Sequence, residues 1–405
     1  MRKKIAYGLC FVTMISMFLL PLYAAAQETV KLAVIEPFSG TFKDVADRYT
    51  EGVIYAVKKI NESGGLLGKK LEIMQIDAEG NPAVAARKAN AAIMKDGVKF
   101  MMTGSGSAIA AALSQVAEKQ NGLLIGHGPH AASLTGEKCS RNFFRTSLNT
   151  DISSYALATI MGKKGYKSIA IMAQDYSFGH EAVAAFKKKL AQVNPDAKIV
   201  SVTLHPMGNK DYAPYISQLL SSKPDAVFTP NWGNDLRVML KQAIAMGMKQ
   251  KVYGYFMNDE LLVQSFGADD KQLIGFVGAE SYAITIPTQK NKEFVADYYK
   301  VMGNYPTWLR GKGYIAVMFW AEAVKKAGTF EVNDIINAWE GLSWEGPTGK
   351  MTMRACDHQA LTPVWTFEFV KSNPFFKHVY IGPATMVPTK DVEVPCEETG
   401  CKMKQ

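Results

Sequence analysis

Short apolar runs rich in β-branched residues alternate with longer amphipathic segments from Thr29 to about Gly278. The short runs predict buried strands, and the segments with apolar residues at helical spacing predict helices between them. In the first series the predicted strands are Val30–Ile35, Leu71–Ile76, Lys99–Thr103 and Gly122–Ile125, and the predicted helices are Tyr49–Asn61, Pro82–Lys95 and Ile109–Lys119. This order is typical of a parallel sheet covered by helices on both faces.

The same alternation then starts again. The second series has predicted strands at Ser168–Met172, Lys198–Val202, Asp225–Thr229 and Lys251–Gly254, and predicted helices at Ser153–Lys164, His180–Gln192, Tyr212–Leu220 and Leu236–Met246. Two series of this kind predict two similar doubly wound α/β lobes. Local signals agree with the first series, because Pro82 suits a first helical turn with Asn81 as its cap, and residues 61–65 suit a helix end.

Helices predicted at Lys292–Met302 and Lys312–Lys326, and strands predicted at Val364–Phe369 and His378–Ile381, follow the two series without complete βα units of their own. We expect these elements to return to the earlier lobes, so that the chain crosses several times and forms a hinge. The expected organisation is a first lobe of residues 27–147 and 280–360, a second lobe of 148–279 and 361–385, and a C-terminal tail of 386–405.

The N-terminal residues follow the order basic, apolar, small: Arg2–Lys4, Ile5–Leu22 and then Ala24–Ala26. This order predicts a secretory signal peptide that is cleaved after Ala26. Pro21 and the absence of a stop-transfer flank disfavour a membrane anchor, and a lipoprotein is disfavoured because Cys10 lies inside the apolar stretch. We therefore expect an exported protein that is not embedded in a membrane after cleavage.

Charge and cysteines narrow the class of protein further. The formal net charge of +9 falls to +6 when Arg2, Lys3 and Lys4 are removed, and the remaining lysines are dispersed, which disfavours nucleic-acid binding. Four cysteines then remain, and in an oxidising compartment they predict two disulfides. Three pairings are open, and one of them closes a small loop between residues 396 and 401. Zinc is disfavoured because no Cys-x-x-Cys pair or suitably spaced histidine occurs. The four are Cys139, Cys356, Cys396 and Cys401.

Ligands of open parallel sheets bind beyond the carboxyl ends of the strands, so the loops that follow the strands are the candidate site. Residues 103–107, the serine loop, read Thr-Gly-Ser-Gly-Ser and open into a helix. Their amide groups, hydroxyls and helix N-terminus suit a carboxylate, and a tight turn without a ligand is the alternative. A dinucleotide site is disfavoured, because a third glycine is missing and the strand is third in its series.

The histidine loop, residues 126–131, carries His127 and His130. A metal site is disfavoured because no third ligand accompanies them, and a serine hydrolase is disfavoured because Thr103 replaces the first glycine of the nucleophile motif. An exported enzyme with either histidine as general base is the alternative class of function. The strands of the second series are followed by aromatic residues: Tyr176, Phe178, Trp232, Tyr255 and Phe256. These residues suit the apolar walls of a ligand cleft, and packing in the protein core is the alternative.

Six segments together resemble the leucine/isoleucine/valine-binding protein family, the periplasmic binding proteins of ABC importers. They are LAVIEPFSG at 32–40, 56–68 with its INESGG core, FFRT at 143–146, DYSFG at 175–179, 240–247, and DHQ at 357–359. The resemblance implies two α/β lobes joined by three crossovers, with a solute trapped as they close. It also implies a periplasmic, non-enzymatic protein without cofactor or metal, which works with two membrane permease subunits and two cytoplasmic ATPases.

The resemblance also implies roles for particular residues. Ser105 and Ser107 would hold the ligand carboxylate, together with groups of the histidine loop at Gly128, His130 and Ala131. Apolar walls would come from Phe38, Tyr176, Phe178 and Trp232.

The acid that usually receives a ligand ammonium is replaced by Phe256 in this chain. Either Asp259 or Glu280 takes its place, or the ligand has no ammonium. The default ligand is a branched-chain or other apolar amino acid, and the alternative is an aromatic or aliphatic carboxylate without an ammonium group.

Overall fold

The computed structural model describes residues 28–403, so the expected signal peptide lies outside the described residues. Five strands, all parallel to their neighbours, form the sheet of the first lobe in the order β2-β1-β3-β4-β5. They alternate with three helices in the chain: β1 (Thr29–Glu36), α1 (Lys43–Glu62), β2 (Lys70–Asp77), α2 (Pro82–Asp96), β3 (Phe100–Thr103), α3 (Ser107–Lys119), β4 (Leu123–Gly126) and β5 (Phe143–Arg145).

The second lobe repeats this plan with five parallel strands in the order β10-β9-β8-β6-β7. Its elements are α4 (Thr150–Lys163), β6 (Ser168–Gln174), α5 (Ser177–Val193), β7 (Lys198–His205), α6 (Ala213–Ser221), β8 (Ala226–Thr229), α7 (Gly233–Ala245), β9 (Lys251–Gly254), α8 (Glu260–Phe266) and β10 (Val277–Glu280). Every residue of β3, β4 and β8 is buried, as expected for strands covered on both faces.

The chain then returns to the first lobe. Helices α9 (Gln289–Met302), α10 (Trp308–Ala327) and α11 (Val332–Trp339) are followed by a small antiparallel sheet of β11 (Ser343–Gly346), β12 (Gly349–Met353) and β13 (Ala360–Leu361). Helix α10 packs closely on α1, because Gly52 and Gly313 let the two backbones approach where a Cβ would collide with the opposite carbonyl oxygen.

The last strands complete the second lobe. Strand β14 (Val364–Val370) pairs antiparallel with β10, and β15 (Tyr380–Ile381) and β16 (Thr385–Val387) pair antiparallel with β14. The chain therefore crosses between the lobes three times, after β5, after β10 and between β13 and β14. The predicted fold class, two doubly wound lobes with a three-crossover hinge, is confirmed, while the lobe boundaries given above stay our proposal.

Each strand and helix predicted in the two series is present, with ends that differ by a few residues. Asn81 accepts hydrogen bonds from the amides of Ala83 and Val84, so the predicted cap of α2 is confirmed. Strands β5 and β10 were not predicted, because a run of three residues and a run containing glycine and glutamate carry little strand signal. The small antiparallel sheet was not predicted either.

Two disulfides join Cys139 to Cys401 and Cys356 to Cys396, with Cα–Cα distances of 5.6 and 6.2 Å. The prediction of two disulfides is confirmed, whereas a small 396–401 loop is wrong, because each of these two cysteines pairs with a distant partner. The tail is thereby fixed to the first lobe. Between residues 28 and 403, none of the helices combines the length and the apolar character needed to cross a bilayer.

Candidate functional site

A cavity lies between the two lobes, at the carboxyl ends of both parallel sheets, and together with its opening to solvent it holds about 420 Å³ of empty space. The first lobe contributes Val45, Tyr49, Gly104, Ser105, Gly106, Ser107, Gly128, Pro129, His130 and Trp308, and the second contributes Tyr176, Phe178, Trp232, Gly233 and Phe256. These residues are called the cavity wall below.

The serine loop presents hydroxyl groups to this cavity. Ser105 is only 3% exposed, and its Oγ has no hydrogen-bond partner among residues 28–403. No side chain caps α3, so Ser105 is not used as the cap of a tight turn. The Oγ of Ser107 accepts a hydrogen bond of 3.1 Å from the Ala131 amide, which leaves its own hydrogen available. Both hydroxyls can therefore donate to a carboxylate.

The amide groups of the serine loop are only partly available. Glu36, fully buried at the end of β1, accepts hydrogen bonds from the amides of Gly104 and Ser105, the latter at 3.0 Å. His127 lies beside it, with Nε2 3.2 Å from Oε1 of Glu36, and it is outside the cavity wall. A ligand is therefore left with the hydroxyls and the first amides of α3, which have no partner within the helix.

The histidine loop lies directly against the serine loop. A Cβ on Gly128 would collide with the carbonyl oxygen of Gly104, so this position needs a glycine. His130 Nδ1 lies 2.6 Å from the carbonyl oxygen of Gly128, a geometry that assigns a hydrogen to Nδ1. Ala131 is not in the cavity wall, and it acts through its backbone, whose carbonyl accepts a 2.7 Å hydrogen bond from the buried Arg145.

Aromatic rings form most of the remaining cavity wall. The ring centroid of Phe256 lies 5.0 Å from that of His130 and 5.3 Å from that of Trp308. The ring centroids of Phe178 and Tyr176 are 5.5 Å apart. The hydroxyl of Tyr176 accepts a 3.0 Å hydrogen bond from Nε1 of Trp232, so its own hydrogen remains free for a ligand. Together the rings enclose a site with apolar sides.

The structure places most of the predicted site residues in the cavity wall, but it leaves Phe38 outside it. Sequence reasoning missed Tyr49 and Trp308, which come from α1 and from the start of α10. Neither residue lies in a loop that follows a strand, so the search of those loops did not include them. Trp308 also lies four residues before the predicted start of its helix at Lys312, so no sequence signal indicated it.

Four helices begin at the cavity wall, each with its N-terminus toward the cavity. These are α3, α5, α7 and α10, with residues at or beside their first turns in the cavity wall: Ser107, Tyr176, Phe178, Trp232, Gly233 and Trp308. A helix N-terminus carries about half a positive charge. Because the four ends converge, the site favours an anionic group.

Glu280 does not lie in the cavity wall. It is fully buried at the end of β10, where Oε1 lies 3.0 Å from Nζ of Lys312 and 3.3 Å from Nε2 of His130. Burial acts to raise the pKa of this carboxyl, but the Lys312 ammonium and His130 outweigh that effect and lower the pKa to about 2. Glu280 is therefore an anion paired with a buried cation, and Lys312 was a partner that no local sequence signal indicated.

Asp259 is also outside the cavity wall. Its carboxylate caps α8 by accepting a 3.0 Å hydrogen bond from the Leu261 amide, and it pairs with Arg237 at 3.1 Å. The structure thus brings neither of the two acids proposed for a ligand ammonium to the cavity wall. Within residues 28–403 no three histidine, cysteine or acidic side chains cluster as a metal site would require.

Ion pairs join the lobes at the mouth of the cavity. Arg237 of α7 contacts Asp44 of α1 at 2.9 Å, and Glu260 of α8 accepts hydrogen bonds from Arg48 of α1 and, at 2.7 Å, from Arg310 of α10. The rings of Phe42 and Trp232 stack across the same edge, with centroids 4.4 Å apart. These contacts hold the lobes in a closed arrangement.

Comparison with known proteins gives consistent matches over most of the chain. Residues 29–374 match the family described as periplasmic binding protein. Leu/Ile/Val-binding protein homolog 4 of Brucella abortus strain 2308 is 32% identical over 374 residues, which cover 86% of this chain and 85% of that protein.

Two solved structures are also similar. The closed conformation of the leucine-, isoleucine-, valine-, threonine-, and alanine-binding protein from Brucella ovis has a TM-score of 0.83 and 29% identity, over 93% of this chain and 100% of that one. An ABC-transporter solute-binding protein from Rhodopseudomonas palustris BisB5, in complex with 3,4-dihydroxybenzoic acid, has a TM-score of 0.80 and 26% identity, over 91% of this chain and 99% of that one.

Proposed function

The chain belongs to the periplasmic binding protein family, and on that premise we propose that it is the extracytoplasmic solute-binding component of an ABC importer. It captures a small carboxylate-bearing solute between its two lobes. The observation that carries this function is the interlobe cavity in which the buried, unpaired hydroxyl of Ser105 lies beside the N-terminus of α3. That combination suits a carboxylate.

The solute has an apolar body, because aromatic rings form most of the cavity wall. The relatives support two classes of solute. The Brucella proteins are named for branched-chain and other small amino acids, which is the default, and the Rhodopseudomonas protein holds an aromatic acid. The contacts are assigned to Ser105, Ser107, Gly128, His130, Tyr176, Phe178, Trp232 and Phe256, with Tyr49 and Trp308 added from the structure.

The protein works in the periplasm, after cleavage behind Ala26, and delivers its solute to permease subunits that are driven by cytoplasmic ATPases. This role needs no catalysis, and the contacts of the histidines support it. His127 faces Glu36 outside the cavity wall, and Nε2 of His130, the nitrogen left without a hydrogen, lies 3.3 Å from the buried Glu280 carboxylate. Neither histidine is placed as a general base toward a bound solute.

Mass spectrometry of solutes released by denaturing the freshly purified protein tests this function. We expect one small carboxylate, released chemically unchanged after incubation with the protein. The control is the Ser105→Ala/Ser107→Ala variant purified in the same way, which should carry much less of that solute. A solute that leaves the protein hydrolysed or otherwise altered would support the exported-enzyme alternative instead.

A further inference from the structure

The cavity has a place for a carboxylate but none for an ammonium group. We infer that the site takes an aromatic carboxylate without an amino group, and that Lys312 sets this preference by pairing with Glu280. The inference rests on the proposed function and narrows its class of solute. It follows from the hydrogen bonds of Glu280, the absence of other acids at the cavity wall and the direction of the surrounding helices.

Donors of the protein fill three of the acceptor positions of Glu280, and His130 covers the fourth. An ionised carboxylate offers about four acceptor sites. Oε1 accepts a hydrogen bond from Lys312 at 3.0 Å and lies 3.3 Å from Nε2 of His130, while Oε2 accepts from the amide of Ser281 at 2.8 Å and from its hydroxyl at 3.1 Å. A ligand ammonium would have to displace one of the three donors, or the His130 ring that lies against Oε1.

Lys312 also cancels the charge of Glu280. Its side chain is 3% exposed, so the pair is withdrawn from solvent and its attraction is weakly screened. A ligand ammonium near Glu280 would also lie near the Lys312 ammonium. Repulsion by that cation would offset the attraction of the Glu280 carboxylate. Burying an ammonium costs several kcal/mol or more when no free carboxylate is available to pair with it, so an amino acid is a poor ligand here.

The other acids near the site are committed to the protein. Within residues 28–403, no aspartate or glutamate belongs to the cavity wall. Glu36 accepts hydrogen bonds from the amides of Gly104 and Ser105. Asp259 pairs with Arg237 and caps α8. No counter-charge is therefore available from either lobe.

The converging helices increase the difference in affinity between carboxylates without an amino group and amino acids. Four N-termini, those of α3, α5, α7 and α10, raise the potential of the cavity, which attracts an anion and opposes a cation. Aromatic faces can attract cations, but this effect acts against the helix termini and offers an ammonium no hydrogen-bond acceptor. The same rings pack well against an aromatic ligand, edge to face or offset.

Matched pairs of ligands that differ only in the amino group test the inference. Isothermal titration of the mature full-length protein would compare 3-phenylpropanoate with L-phenylalanine, and 4-methylpentanoate with L-leucine, with benzoate as a further aromatic acid. We expect each deaminated member to bind at least tenfold more tightly than its amino acid, and the aromatic acids to bind best.

Two variants identify Lys312 as the origin of the preference. Lys312→Met keeps most of the length of the side chain but leaves Glu280 without its cation. The affinity for the amino acids should therefore rise at least tenfold relative to that for their deaminated partners. The matched control is the double variant Lys312→Met/Glu280→Gln, in which neither charge remains and the wild-type preference should return. Thermal unfolding of each variant shows whether it is folded.

The outcomes separate the inference from the proposed function. Equal or tighter binding of the amino acids by the wild-type protein would overturn the inference and leave the solute-binding function intact. An unchanged preference in a folded Lys312→Met variant would overturn the role of Lys312. Failure of every carboxylate to bind would overturn both. If Lys312→Met does not fold, the wild-type preference alone decides between the two classes of ligand.

Discussion

Ser105 and Ser107 lie two positions apart in the serine loop but have different surroundings. The Oγ of Ser105 is buried without a partner in the described part of the chain, whereas the Oγ of Ser107 already accepts the Ala131 amide. A buried hydroxyl without a partner costs free energy in the isolated protein. A ligand carboxylate that accepts a hydrogen bond from this hydroxyl removes the cost on binding.

Replacing both hydroxyls should weaken binding without unfolding the protein. Each hydrogen bond to a carboxylate contributes about 1.5–3 kcal/mol, so Ser105→Ala/Ser107→Ala should lower the affinity for the bound carboxylate more than about tenfold. Isothermal titration measures this change. Ser114→Ala, a buried serine of the same helix outside the cavity wall, is the control and should bind normally. Unchanged affinity in the double variant would place the carboxylate elsewhere.

The Glu280–Lys312 pair should make stability depend on acid pH. The pKa of Glu280 is lowered from 4.5 to about 2 in the folded protein, so its contribution is complete above pH 4.5 and is lost as the pH falls toward 2. By this shift the contribution is on the order of 3 kcal/mol. Denaturant unfolding between pH 5 and about pH 2 measures it.

The Lys312→Met/Glu280→Gln variant lacks both charges and should lose less stability than the wild type over that interval. Glu118→Gln, which changes an exposed glutamate of α3, should follow the wild type. Parallel curves for the wild type and the double variant would show that Glu280 does not carry this pH dependence.

Among the elements, those that the sequence predicted well are the ones whose signals are local. Strand β9 and helix α2 combine a clear apolar pattern with turn or cap residues, and both occur where they were predicted. Strands β5 and β10 are held by their neighbours in the sheet, so their own residues carry little signal.

The same distinction explains the site. The serine loop, the histidine loop and the aromatic residues of the second lobe follow strands, and the rule for open α/β sheets finds such residues. Tyr49, Trp308 and Lys312 come from helices that reach the cavity through the packing of α1 on α10, which no periodicity in the sequence reveals. The choice between Asp259 and Glu280 could not be settled from the sequence, because their cationic partners lie 22 and 32 positions away in the chain.

The C-terminal tail is an element fixed by disulfides instead of by a core of its own. Cys401 is bonded to Cys139 across 262 positions, and Cys396 to Cys356 across 40. The tail also reaches the second lobe, where Asp391 pairs with Lys163 and Glu398 with Lys188.

Removing the longer disulfide with Cys139→Ala/Cys401→Ala should lower the free energy of unfolding by about 2–5 kcal/mol, because the unfolded chain gains freedom. Denaturant unfolding checks this value. The Lys188→Ala variant, which removes the exposed ion pair with Glu398 and a contact with Tyr155, should lose about 1 kcal/mol or less. Equal stability of the double-cysteine variant and the wild type would show that this bond does not constrain the tail.

For the whole molecule, the contacts at the mouth of the cavity couple binding to closure. Arg237 joins Asp44 of the first lobe to Asp259 of the second, and its side chain is only 11% exposed, so its two ion pairs are stronger than ordinary surface pairs. The pair with Asp44 exists only when the lobes are closed, because Asp44 and Arg237 belong to different lobes.

Arg237→Ala should therefore weaken the closed state and lower the ligand affinity by about five- to tenfold, mainly through faster release. Stopped-flow fluorescence of the tryptophans in the cavity wall would measure the release rate. Arg87→Ala, which changes an exposed arginine of α2 outside the cavity wall, is the control. A slower or unchanged release from the Arg237 variant would show that closure does not depend on this contact.

Closure of two lobes on a small carboxylate is the central claim, and small-angle X-ray scattering tests it most directly. The wild-type protein would be measured alone and with saturating benzoate, 3-phenylpropanoate or L-leucine, whichever binds most tightly by titration. We predict a smaller radius of gyration with the ligand, and no such change for Ser105→Ala/Ser107→Ala at the same ligand concentration. A radius of gyration that stays the same in the saturated wild-type protein would contradict a hinged, solute-capturing clamp.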